Sequence, residues 1–228
     1  MRRQGVPDRS SARRSPAARP TDDELLDAAR AVFAERGFTQ ATMEAIAERA
    51  NSTKPTLYAH FGDKVALYRV TVAREVAALQ QWMITTYESA DPQPVEQRVR
   101  VYVMAMFTYA TTQPDSFRML FDSVVDEMSP ERRQLAETIR THVATQIRDY
   151  LVTHDRPHGP SVDLLAAMMV GLVGRAANHV SHAPHLDPLA AGELASSFIV
   201  AALRGIDPAL LERLDVPEAS VPQGAEQT

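Results

Sequence analysis

Cysteine is absent from the 228 residues, which removes disulfides, thiolate zinc sites, iron–sulfur clusters and a cysteine nucleophile from consideration. Lysine is scarce too: of 24 basic residues only Lys54 and Lys64 are lysine. Aromatics make up 6% of the chain, and no apolar run approaches the ~18 uninterrupted residues that a spanning helix needs. Met-Arg-Arg at the N-terminus is not followed by the apolar stretch and small-residue cleavage site of a secretory signal, so a cytoplasmic location is expected, without membrane. What is present is globular, with 45% hydrophobic and 23% charged residues. That is enough for one large domain or two small ones.

The net charge of −5 hides an asymmetry. Residues 1–20 carry Arg2, Arg3, Arg9, Arg13, Arg14 and Arg19 against Asp8, a formal +5, leaving −10 on the rest. A basic Pro/Ser/Arg-rich arm ahead of an acidic body fits an arm that touches nucleic acid, and equally a solvated disordered tail.

Periodicity is helical nearly throughout, and no sustained alternation requires a sheet. The chain reads as all-α, with about nine helices. Thr21-Asp22-Asp23-Glu24 forms a capping box ahead of the apolar stripe Leu25, Ala29, Val32 and Phe33, and Gly37 supplies a left-handed stop. Thr42 caps a short helix to about Ala50. Asn51 suits a tight turn, Thr53 caps a third helix through Phe61, and Gly62-Asp63 introduces a long amphipathic helix from Lys64. Helices from about Val99 to Gln113, Pro114 to Val125, Pro130 to Tyr150, Ser161 to Val180 and Pro188 to Arg204 follow. The expected organisation is a disordered arm (1–20), an N-terminal helical module (21–68), a larger helical domain (69–214) and a disordered tail (215–228).

The second and third helices form a helix-turn-helix if Ile46, Ala50, Leu57 and Phe61 lock them together. Burying Leu57 and Phe61 leaves Thr53, Lys54, Thr56, Tyr58 and His60 on a polar, basic and aromatic face. A recognition helix reads base edges with its first turn, where the earliest of these residues lie.

Phe38-Thr39, Thr42-Met43-Glu44-Ala45-Ile46-Ala47, Thr53-Lys54-Pro55-Thr56-Leu57-Tyr58-Ala59-His60-Phe61 and Lys64-Val65-Ala66-Leu67 resemble the tetracycline-repressor (TetR/AcrR) family over residues 21–68. The resemblance implies a homodimer whose two N-terminal modules bind a palindromic double-stranded operator, usually to repress, and release it when a small-molecule inducer occupies the C-terminal domain. Carried onto this sequence, Lys54 and Thr56 become candidates for base edges, Pro55 for a thymine methyl, and Tyr58, His60, Lys64 and Thr42 for phosphates. Asn51 stands where the family usually has glycine, Ser52 where an apolar plug is usual, and Ala59 where a larger side chain is common. The module itself carries five basic and eight acidic residues; the arm brings it to +2.

In the penultimate helix Ala167, Gly171 and Gly174 give one face without bulky side chains, a candidate dimer interface because glycine inside a helix needs a packing reason. Trp82, Met104, Phe107, Met119, Phe121, Met168 and Met169 are candidate lining of a largely apolar ligand pocket, each also readable as ordinary core. His179, His182 and His185 with Asp187 can be drawn as a metal site, but Pro184 breaks the helix before His185 and no metal constellation supports them, so no metal or cofactor is expected. No G-x-S-x-G elbow, P-loop or triad indicates an enzyme. Beside the ligand-released repressor stand an activator or a regulator without a small-molecule ligand and, more remotely, a helical enzyme or metal-binding protein.

Overall fold

The computed structural model describes residues 20–90, 93–121 and 130–215. The arginines of the arm, residues 91 and 92, Val125, Ser129 and the tail beyond 215 lie outside these. Among the described residues the fold is all helical, in ten elements: α1 (Asp22–Gln40), α2 (Met43–Arg49), α3 (Lys54–Phe61), α4 (Lys64–Ala90), α5 (Val95–Thr112), α6 (Pro114–Phe121), α7 (Pro130–Thr153), α8 (Ser161–Ser181), α9 (Pro188–Gly205) and α10 (Pro208–Leu214). The tenth is the short α10, capped by Asp207 and anchored by buried Leu211, beyond the helices read from periodicity.

The capping chemistry sets the N-terminal module. At the start of α1 the Thr21 hydroxyl accepts from the Glu24 N–H and the Glu24 carboxylate from the Thr21 N–H, and Gly37 breaks that helix at φ +70°. Thr42 and Thr53 accept the backbone N–H groups of Ala45 and Thr56, starting α2 and α3. Between them Asn51 holds φ +48°, a backbone conformation that asparagine tolerates better than most residues. Ile46 and Leu57 are fully buried, whereas Phe61 and Ala50 are only partly covered.

Lys64 departs from its expected outward role. Its Nζ donates to the carbonyls of Phe38 and Ala41, both at 3.0 Å, and lies 4.5 Å over the Phe38 ring. The exit of α1 leaves carbonyls without helical partners, and a cation there both pairs them and suits the helix dipole.

A polar knot joins this module to the body. Glu75 of α4, 3% exposed, accepts from Arg74 at 2.9 Å and from the Ser116 hydroxyl of α6 at 2.5 Å, and Arg30 of α1 lies 3.7 Å away. Arg74 also reaches Asp27 of α1 at 2.8 Å. A carboxyl group this deep needs its oxygens partnered, because burying them unpaired is costly. Burial pushes the neighbouring Tyr109 phenol up to about 12.

In the body α5 packs against α9 and α7 against α8. Gly192 of α9 permits the first contact, since a Cβ there would stand 2.7 Å from the Met104 sulfur. α8, at mean hydropathy 1.2, meets the length and composition test for a membrane span, a test that core helices of soluble bundles also pass.

Candidate nucleic-acid interface and cavity

The helix-turn-helix presents one solvent-facing surface. Thr42, Thr53, Pro55, Tyr58 and His60 are exposed and Lys54, Thr56 and Lys64 half-exposed. Several already have intramolecular work. Thr53 and Thr56 hydroxyls pair at 2.9 Å, fixing the first turn of α3. Lys54 forms an ion pair with Glu44 of α2; the contact holds the Glu44 carboxyl below its ordinary range and raises the Lys54 ammonium above its own. His60 Nδ1 meets Asp22 of α1 at 2.5 Å, tying the far end of α3 to the first helix. Tyr58, 48% exposed, has its ring free to approach a backbone.

Behind the module lies a half-open, almost wholly apolar cavity of about 110 Å³, bounded by α4 through α9 and lined among others by Tyr87, Tyr102, Met106, Val143, Gln146 and Val173. Of the residues expected there, Phe121 and Met169 line it. Phe107 and Met119 are instead buried filler of the core, Met104 packs on Gly192, and Trp82 leans on Tyr109 with ring centroids 5.3 Å apart. Met168 is 61% exposed. Tyr87, stacked at 3.8 Å on His142, was missed, as was Gln146. Gln146 had a signal: it lies three residues after Val143 and seven after Ile139, a polar residue inside an apolar helical stripe. Burial pushes the Tyr87 phenol far above its ordinary range, so it stays a neutral O–H.

The glycine-bearing face divides. Ala167 and Gly171 are exposed, and neither Gly171 nor Gly174 has any atom within 4 Å of where a Cβ would stand, while Gly174 contributes to the cavity wall. Around them Leu164 and Met168 of α8 and Leu194 and Phe198 of α9 are exposed at helical spacing. Among the described residues no group of three or more His, Asp or Glu side chains is placed to hold a metal. Asp187 caps α9 by accepting from Leu189 N–H at 3.0 Å.

Residues 25–71, spanning α1 to the start of α4, match the family model of bacterial regulatory proteins of the TetR family. Over these residues the chain belongs to the TetR family. It is 35% identical over 104 residues to the HTH-type transcriptional activator FasR of Mycolicibacterium smegmatis, a match covering 44% of this chain and 45% of that one. The chain thus matches under half the length of this relative. The solved structures extend the likeness in fold alone. A TetR-like transcriptional regulator from Rhodococcus sp. RHA1 superposes with a TM-score of 0.68 at 22% identity, covering 85% of this chain and all of that one. The regulator FadR of Bacillus subtilis, solved with stearoyl-CoA, gives 0.67 at 15% identity, covering 82% of this chain and all of that one. The TetR-family fold therefore spans module and body together.

Proposed function

We propose that this TetR-family protein is a cytoplasmic, homodimeric regulator that binds a palindromic operator and is released from it by a small, largely hydrophobic ligand. The observation that carries the reading is the exposed first turn of α3, where Lys54, Pro55 and Thr56 stand on a helix anchored from below by fully buried Leu57. Lys54 donates to guanine acceptors, Thr56 contacts a neighbouring base, and Tyr58, His60 and Thr42 take phosphates. Lys64, committed to the carbonyls of α1, positions the module. The arm adds positive charge the module lacks, to phosphates or the minor groove.

Two operator half-sites one helical turn apart need two modules held at a fixed spacing. The unpartnered apolar stripes of α8 and α9 supply the surface for a second copy, Ala167 and Gly171 allowing close approach. Ligand in the cavity presses on Phe121, which stacks on Phe117 at 4.7 Å inside α6; Ser116 of the same helix holds Glu75 and, through it, α1. A ligand that favours one placement of α6 thereby shifts the spacing of the modules and the affinity for DNA.

Selection of bound duplexes from a random pool tests this: an inverted repeat is the expected result, and no enrichment over non-specific DNA overturns it. A second reading, an activator with the same DNA contacts, is favoured by the 35% identity to a relative that bears that description. A promoter fusion distinguishes the two by whether deletion of the protein raises or lowers expression.

A further inference from the structure

Resting on the reading of the cavity as an effector site, we infer that Gln146 selects a neutral lipophile bearing a hydroxyl group. Gln146 projects from α7 among Ile139, Val143 and Ile147 into a space whose other walls come from Met106, Met169 and neighbouring apolar side chains. Its Oε1 is buried and has no hydrogen-bond partner. An amide oxygen left unpaired in an apolar cavity carries a desolvation penalty that folding does not recover. A ligand that donates to it recovers that penalty on binding, so the amide gives affinity to donors and withholds it from shapes of the same size that cannot donate.

The chemistry of the donor follows from the surroundings. No Arg, Lys or His is among the lining residues, so a carboxylate or phosphate carried into the cavity would find no counter-charge there. An ether, ester or thioester oxygen has no proton to give. A hydroxyl has a proton to give and donates it to Oε1. The Tyr87 phenol, kept neutral by burial, is a further O–H at the same wall and adds no charge. The apolar remainder of the ligand fills the carbon-lined space, and the hydroxyl fixes its register against α7.

The test uses two isomers of one formula, 1-octanol and heptyl methyl ether, titrated calorimetrically into the full-length protein and into its Gln146→Leu variant, with the melting temperatures of both free proteins measured first. Wild type is expected to bind the alcohol roughly tenfold or more tightly than the ether. Gln146→Leu is expected to lose that preference and, free of ligand, to melt at or above wild type because an unpaired polar atom has been removed. Equal affinity of wild type for the two isomers, an alcohol preference retained by Gln146→Leu, or a lower melting temperature of the free variant each overturns the role of Gln146 and leaves the effector cavity standing. Failure of wild type to bind either isomer removes the effector cavity itself, and the selection of a hydroxyl with it.

Discussion

The pairing of two copies through α8 and α9 can be broken without touching the protomer's own core. Leu194 is 73% and Phe198 60% exposed, four residues apart on the outer side of α9. Covering a leucine or phenylalanine side chain completely contributes about 1.5–3 kcal/mol, so the uncovered portions of this pair offer roughly 2–4 kcal/mol per protomer. A two-fold interface uses the same patch twice, giving about 4–8 kcal/mol in all. The double variant Leu194→Gln/Phe198→Gln should therefore weaken the dimer by roughly 10³-fold or more. Glutamine propagates a helix well, and both side chains are mostly uncovered within the protomer, so far-ultraviolet circular dichroism should not change. Sedimentation velocity across a dilution series reads the dissociation constant directly, and operator binding should fall with it, since one module cannot span two half-sites. A variant that dissociates no more readily than wild type would refute the placement of the interface. Loss of helicity alongside dissociation would refute the premise that these residues are free of the core.

Other expectations concern single contacts. Glu75→Ala leaves Arg30 and Arg74 without their buried partner and should cost about 3–5 kcal/mol, lowering the thermal midpoint by roughly 10 °C in a scanning measurement. Glu44→Gln frees Lys54 and should raise affinity for duplex DNA and steepen its salt dependence in a fluorescence anisotropy titration. Protonation does the same: the Glu44 carboxyl is depressed below its ordinary 4.5, so the ion pair is intact above that pH and is lost as the pH falls through the lowered value. Lys64→Met should lower stability by about 1.5–3 kcal/mol while leaving the salt slope of binding unchanged, whereas Lys54→Ala should relax sequence preference; a slope reduced by Lys64→Met would return that lysine to the phosphate backbone.

Local chemistry made the first three helices readable. Thr21, Thr42 and Thr53 cap, Asn51 and Gly37 turn, and each acts on backbone within a few residues of itself. Lys64 was harder because its partners, the carbonyls of Phe38 and Ala41, lie more than twenty residues back, and a charge on a short helix-turn-helix looks outward until the geometry turns it in. The cavity was legible only in part. Periodicity marks the face a side chain turns inward but not whether a neighbour meets it: Phe107 and Phe121 are both inward, yet only Phe121 borders open space. Glu75 hid in a stripe with Tyr68, Val72 and Val76, where its spacing put it inside and its charge argued for solvent.

The knot around Glu75 has a bearing on how this chain can be cut and recombined. The carboxylate sits on α4, one of its cations on α1 and its hydroxyl donor on α6, so the boundary between module and body runs through a shared set of side chains. A fragment ending after α3 would leave Arg30 without Glu75, one ending in α4 beyond Glu75 would strip Ser116 from a carboxyl group still facing Arg30, and a transplant of the module onto another body would need Arg74, Glu75 and Ser116 to travel with Arg30 and Asp27. The two halves are therefore expected to melt in one transition and to be exchangeable between proteins only with that junction included.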